Sequence, residues 1–323
     1  MRRFKTGGKV FPDRKVLAGI VALIFCLCLF AGAQNAFANG SSSATPALVE
    51  TQWLADNLDK SGMRTVYVGS PSPKSMANFG SKHVPGSVFV GIGSLMDVLG
   101  NGSAPPDKAK FEALMGKLGI SNDTHVLIYG MGGGNPFITN AFWLMKYFGH
   151  EKVSYLNGGM TKWVRENRKT ATGAPAKVKS ATYKAAPDAS VYASTDYVLQ
   201  SLKNSKVVMV DARGADAYKG IKNEMPGKNK RTGRIPGAVN LNFYPTNLNK
   251  DGTFKSVKDL KAAYEAKGVT KDKEAIIYCQ AGIRAAHTYF VLKHLLGYPK
   301  VRNYVGSWGE WSNSDPAKYP LEK

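Results

Sequence analysis

Cysteine is scarce in this chain. There are three in 323 residues, Cys26, Cys28 and Cys279, so one thiol remains once the N-terminal pair is set aside. A disulfide framework within the chain is then excluded, and folding rests on buried apolar surface. Acidic residues are also few, 23 Asp and Glu against 44 Lys and Arg, for a formal charge of +21. The five histidines (His83, His125, His150, His287, His294) stand in no metal-ligand spacing, and no metal site is expected. The basic excess is scattered lysine, with one denser run from Lys219 to Arg231. Without a basic helix or a stacking-aromatic motif, nucleic acid is not the expected partner. Such a field suits small anions drawn to a cleft.

The first 38 residues read as an export signal. Arg2, Arg3, Lys5, Lys9, Arg14 and Lys15 form a positive start, residues 16–33 are apolar, and Ala36-Phe37-Ala38 supplies small residues at the cleavage positions. Cleavage there removes six basic residues and one acidic residue, leaving +16 on a mature chain that begins at Asn39. It also removes Cys26 and Cys28. The rival reading is an uncleaved N-terminal anchor facing outward, because the apolar run approaches the roughly 18 residues that span a bilayer. After cleavage no stable membrane span is expected. The localisation expected is periplasmic or otherwise exported.

Cys279 follows the buried-strand pattern Ala275-Ile276-Ile277-Tyr278 and opens the run Cys279-Gln280-Ala281-Gly282-Ile283-Arg284, after which an apolar helical stretch begins. A thiol at a strand tip, on a short glycine-containing loop leading into a helix, faces free backbone N–H groups and the positive end of the helix dipole. That setting favours the anionic form and holds an anion beside it.

The remainder reads twice through one plan, at an offset near 150. Residues 65–70 correspond to 207–213 as a first buried strand. His83-Val84-Pro85-Gly86 matches Arg234-Ile235-Pro236-Gly237, and Val126-Leu127-Ile128-Tyr129 matches Ala275-Ile276-Ile277-Tyr278. Phe148-Gly149-His150-Glu151-Lys152-Val153 matches 296–301, and Asn157-Gly158-Gly159-Met160 matches Val305-Gly306-Ser307-Trp308. Short β-branched strands alternate with helical stretches at 109–118, 142–148, 257–266 and 286–295. The fold class expected is α/β, a parallel sheet flanked by helices in each half. Residues 170–189, rich in Ala, Lys, Pro, Ser and Thr, read as a linker.

Four motifs stand in order in the second half: Val210-Asp211-Ala212-Arg213, the stretch Gly233 to Asn240, the Cys279 loop, and Tyr304-Val305-Gly306-Ser307-Trp308-Gly309-Glu310-Trp311. With the duplication, the chain resembles a tandem-domain rhodanese of the thiosulfate sulfurtransferase-like kind. The organisation expected is a signal peptide at 1–38, a non-catalytic rhodanese-like domain at 48–168, a linker at 169–192 and a catalytic domain at 193–321. The first half carries Gly130 where the second has Cys279, and Gly69-Ser70 where the second has Asp211-Ala212-Arg213, so it is read as inactive.

The resemblance implies a two-step sulfur relay with no cofactor beyond a covalent persulfide on Cys279. A small anionic donor gives up its sulfane sulfur, and a thiol, cyanide or sulfite-type acceptor takes it. Gln280, Ala281, Gly282, Ile283 and Arg284 are the expected substrate-binding positions: the loop N–H groups steady the sulfur, and Arg284 either holds donor oxygens or pins backbone carbonyls. Asp211, Arg213, Arg234 and Trp308 are possible supporting residues, the first two expected to knit the strand to the loop and Trp308 to pack. Lys222, Lys230, Arg231 and Arg234 are the further cations considered for the donor. His287, on the face of Arg284, is expected to pack.

Four residues separate Cys279 from Arg284, one fewer than thiol phosphatases use to encircle phosphate. Gln280-Ala281-Gly282 departs from the Gly, Ser/Thr, Gly of the mercaptopyruvate branch, which favours thiosulfate or a related donor. The alternatives carried are a periplasmic persulfide carrier without efficient turnover, and a handler of related oxyanions such as selenite.

Overall fold

A computed structural model describes residues 45–323 apart from Pro71 and Ser103. The expected signal at 1–38, with Cys26 and Cys28, lies outside the described residues.

Two five-stranded sheets follow one another along the chain. The first contains β1 (Leu48–Val49), β2 (Met63–Gly69), β3 (Val88–Gly91), β4 (His125–Tyr129) and β5 (Val153–Leu156), in the order β1-β5-β4-β2-β3. The second contains β6 (Tyr192–Ala193), β7 (Val207–Asp211), β8 (Val239–Asn240), β9 (Glu274–Tyr278) and β10 (Val301–Tyr304), in the order β6-β10-β9-β7-β8. Every pairing between these strands is parallel, and the second order repeats the first strand for strand. The central strands are apolar on both faces because helices cover both. Ala275, Ile276, Ile277 and Tyr278 of β9 are all fully buried.

Helices α1 (Thr51–Asn57), α2 (Pro73–Ser81), α3 (Ile92–Leu99), α4 (Lys108–Lys117), α5 (Pro136–Tyr147) and α6 (Gly159–Arg165) cover the first sheet. Helices α7 (Thr195–Ser201), α8 (Ala215–Tyr218), α9 (Phe243–Asn247), α10 (Val257–Glu265), α11 (Ile283–Phe290) and α12 (Ser307–Trp311) cover the second. Two helices depart from the periodicity. The helix expected from 142 begins at Pro136, because Asn135 Oδ1 accepts the Phe137 N–H at 3.1 Å and Pro136 fits the first helical turn. The helix expected over 286–295 begins at Ile283, directly after Gly282 at φ 74°, and gives way to a π-helical turn over Val291–Leu295.

The two halves share one core. α5 lies against α11, with the Phe142 and Phe290 rings edge to face at 4.8 Å and His294 4.9 Å from Phe142. Tyr155 of the first half contacts Phe254 and Phe290 of the second. Asn157 Oδ1 accepts the Phe254 N–H at 3.0 Å across the same junction. The stretch 170–189 is not a free tether. Its N–H groups at Ala181, Ala186 and Asp188 reach the carbonyls of Gly116, Phe148 and Tyr147, and Tyr183 is buried edge-on to Phe111. Among the described residues no helix is long and apolar enough to cross a membrane.

Candidate active site

Cys279 directly follows β9, which runs between β7 and β10, so the thiol stands at the C-terminal edge of the sheet where parallel α/β folds place their sites. It is 1% exposed. The loop that carries it is held by its backbone. Ser307 Oγ accepts the N–H groups of Cys279 at 3.1 Å and Gly282 at 3.0 Å, and donates to the Tyr304 carbonyl at 2.7 Å. One donor and two acceptor positions exhaust a hydroxyl. The N–H groups of Trp308 and Gly309 bond the Cys279 and Gln280 carbonyls, and Asn303 Nδ2 bonds that of Gly282. Gly282 has no room for a side chain: a Cβ there meets Val305 Cα at 2.9 Å.

Immediately after Gly282, α11 begins. The first N–H groups of a helix, here those of Ile283, Arg284 and Ala285, have no partner within it, and they carry the positive end of its dipole. The Gly282 N–H, expected to face the sulfur, is instead engaged by Ser307. Gln280 is pinned by a reciprocal amide pair: its Nε2 donates to Asn229 Oδ1 at 2.8 Å and Asn229 Nδ2 donates to its Oε1 at 3.1 Å. Ala281 is exposed and Ile283 buried.

Arg284 pins no backbone carbonyl among the described contacts. Both Nη atoms go to one carboxylate, Nη1 to Glu224 Oε1 at 2.9 Å and Nη2 to Glu224 Oε2. Burial works to lower the guanidinium pKa, but the bond to Glu224 and the attraction of the nearby Cys279 sulfur outweigh it and raise the value. Glu224 answers in kind. Burial works to raise its pKa, yet Arg284, with smaller help from Arg213 and Lys222, holds it below the usual carboxylate range.

Asp211 and Arg213 lie beneath the loop, both buried. Arg213 Nη2 bonds Asp211 Oδ2 at 2.6 Å and the Gly233 carbonyl at 2.7 Å, and its guanidinium lies over the Trp308 ring at 4.7 Å and the Tyr278 ring at 5.6 Å. This is a support layer joining β7 to the residue before Cys279, and Trp308 is part of its packing. Arg234 is not brought to the thiol. Its Nε bonds Glu322 at 3.2 Å and it stacks on Tyr218, tying down the end of the chain. Arg231 is similarly spent on the Ser312 and Tyr319 carbonyls. The Lys230 backbone N–H bonds Asn313 Oδ1, and Lys222 acts on Glu224 through charge. His287 is fully buried between the Phe243 and Phe254 rings and packs.

Beside the loop lies a cavity of about 350 Å³, bounded by Leu99 and Gly102 from the first half and by Lys228, Asn229, Gln280 and Val305 from the second. Lys228, Asn229, Glu224 and Ser307 were not singled out from sequence. Ser307 sits inside a recognised motif. Glu224 carries no local signal, since its partner is 60 residues away.

In the first half, Gly130 occupies the tip of β4 equivalent to Cys279. A Cβ there meets Ile138 Cδ1 at 2.8 Å and the Val68 carbonyl at 3.0 Å. The following loop presses against the second half, where a Cβ on Gly133 overlaps the Gly252 carbonyl. That tip is covered, and it holds no nucleophile.

The rhodanese-like domain family matches this chain twice, over residues 50–166 and 194–314. The chain belongs to the rhodanese family. This rhodanese is 38% identical over 279 residues to the sulfur carrier protein TtuD of Thermus thermophilus, covering 82% of this chain and 93% of that one. It is 34% identical over 279 residues to thiosulfate sulfurtransferase of Bos taurus, covering 84% and 93%. Among solved structures it resembles SseA of Escherichia coli, described as a 3-mercaptopyruvate sulfotransferase, with a TM-score of 0.69, 29% identity and coverage of 82% and 99%. The protein is an enzyme of sulfur transfer, a sulfurtransferase like these relatives.

Proposed function

We propose that Cys279 is the nucleophile of a sulfur relay fed by thiosulfate or a related anionic donor. One observation carries this reading. The thiol stands at the tip of the central strand, on a loop clamped from outside by Ser307, and that loop leads into the N-terminus of α11 and its first-turn Arg284. The matching tip in the first half is Gly130.

In the first step the Cys279 thiolate attacks the outer sulfur of the donor. A new S–S bond forms, the donor's own S–S bond breaks, and sulfite leaves with its electron pair. Cys279 then carries a persulfide whose terminal sulfur bears negative charge. The N–H groups at the start of α11 and the Arg284 charge suit that anion. In the second step a thiol, cyanide or sulfite attacks the terminal sulfur, and the electron pair of the breaking bond returns to Cys279. The chemistry needs a good nucleophile that is also a good leaving group, which describes a thiolate.

A second reading is a persulfide carrier that hands its sulfur to a partner protein. The relative named as a sulfur carrier favours it. The proposed setting is outside the cytoplasm, with the mature chain starting at Asn39, on the strength of Ala36-Phe37-Ala38 and the charged start before the apolar run. N-terminal sequencing of the cell-purified protein tests this, and an intact Met1 rejects it.

Mass spectrometry of the protein after exposure to thiosulfate and, separately, to mercaptopyruvate tests the relay. The expected result is a gain of one sulfur on Cys279 with thiosulfate and none in Cys279→Ser. Turnover to thiocyanate with cyanide separates enzyme from carrier. Wild-type turnover in Cys279→Ser rejects the assignment.

A further inference from the structure

The carboxylate of Glu224 stands at the end of the Cys279 loop, paired with Arg284. It takes both Nη atoms of Arg284, the cation whose charge the Cys279 sulfur helps to hold. The pair is well shielded, with side-chain exposures of 25% for Arg284 and 20% for Glu224. Its position is not accidental. Asn223 Oδ1 accepts the Met225 N–H at 3.1 Å, and Asn223 Nδ2 bonds the Asn229 carbonyl at 3.2 Å, so the residues on either side of Glu224 are fixed. Asn229 in turn clasps Gln280, the neighbour of Cys279. One short segment therefore sets a negative charge and an amide against the two ends of the Cys279 loop.

We propose that Glu224 selects sulfur donors by charge: it is a built-in anion on the Arg284 fork that a donor's oxygens must displace, which handicaps dianions relative to monoanions. The inference rests on the reading of Cys279 as the relay thiol. Its physical basis is the geometry of the guanidinium: Glu224 occupies the Nη1–Nη2 edge, and that edge holds one carboxylate or one sulfonate at a time. A thiosulfate dianion entering beside Glu224 loses that fork and meets a like charge in a poorly solvated site. A thiosulfonate monoanion, with a methyl group in place of one oxygen, needs fewer of the fork's hydrogen bonds and is repelled less. Glu224 stays ionised through neutral pH, since Arg284 depresses its pKa, so the handicap is permanent.

The test compares persulfide formation on Cys279 from thiosulfate and from methanethiosulfonate, which releases methanesulfinate with its electron pair. Wild type, Glu224→Gln and Glu224→Asp are each measured, with thermal melts as a check of folding. Glu224→Gln is expected to raise kcat/KM for thiosulfate about ten- to hundredfold, chiefly through KM, and to change the thiosulfonate value by about threefold or less. Glu224→Asp keeps the charge and is expected to keep the wild-type donor ratio. Equal changes for both donors, or a fall with thiosulfate, overturn the inference. Inhibition of the wild-type enzyme gives a readout without mutation: methanesulfonate is expected to compete better than sulfate, and the reverse order overturns it. If wild type forms no persulfide on Cys279 with either donor, the relay reading itself falls, which sets that failure apart.

Discussion

Ser307 holds Cys279 by its backbone. The serine Oγ accepts the cysteine N–H at 3.1 Å and, three residues on, the Gly282 N–H at 3.0 Å, while Ser307 itself sits at φ 52°. A non-glycine residue in the left-handed region is uncommon and persists where its surroundings require it. The strain at Ser307 and the shape of the Cys279 loop are thus one arrangement.

Ser307→Ala removes the acceptor of two buried N–H groups, at about 1–3 kcal/mol for each group left unpaired. The expected result is a melting temperature lower by several degrees and slower sulfur transfer. Ser307→Gly relieves the φ strain but lacks the hydroxyl, so it is expected to fall as well. Wild-type melting in both variants rejects the clamp.

Arg284→Lys replaces a planar fork by a point charge. If the fork holds donor oxygens, KM for thiosulfate rises and discharge of the persulfide to cyanide changes less. Loss of one charge-assisted contact corresponds to about a ten- to hundredfold drop in kcat/KM. Equal loss in both half-reactions, with a lower melting temperature, assigns Arg284 to the scaffold through Glu224.

Gly130→Cys is expected to yield no second sulfur centre. The new side chain collides with Ile138 and the Val68 carbonyl, and the first-half loop offers no Arg. The variant should melt lower than wild type and still take up one sulfur per chain. Two persulfides per chain by intact mass show that a strand tip and a loop suffice.

Acid should loosen the junction between the halves. Burial pushes the His287 and His294 pKa values down to about 3. Tyr264 donates to Asn247 Oδ1, which leaves Asn247 Nδ2 to donate to His287 Nδ1 at 3.1 Å, so the neutral ring carries its proton on Nε2. An unfolded histidine binds its proton near pH 6.5, so stability is complete above that pH and falls steadily as pH drops towards 3. Urea midpoints at pH 7.5 and 5 measure it. His294→Leu, beside Phe142 and Phe290, is expected to flatten the decline, and an unchanged slope rejects this source.

Much of the fold was readable because parallel strands buried on both faces leave an apolar trace that local composition carries. The repeated succession of strands along the chain, the β9 tip and the loop into α11 all follow from such runs. The start of α5 was missed because Asn135 and Pro136 act as a cap, a signal separate from periodicity. That residues 170–189, read as a linker, bond the carbonyls of Gly116, Phe148 and Tyr147 was not legible, because backbone hydrogen bonding leaves no pattern in side-chain type.

The sequence by itself determined the thiol, its strand and its loop, because those residues are neighbours along the chain and their chemistry is local. Only the tertiary structure decided what surrounds the sulfur. Arg234 looked available for a donor, yet the fold gives it to Glu322 at the chain's end. Arg284 was read as holding donor oxygens or pinning backbone carbonyls, yet the fold sets Glu224 on both its Nη atoms. Charge and hydrogen bonding act over a few ångströms of space whatever the separation along the chain, so partners 60 or 88 residues apart meet only when the sheet and its covering segments have packed.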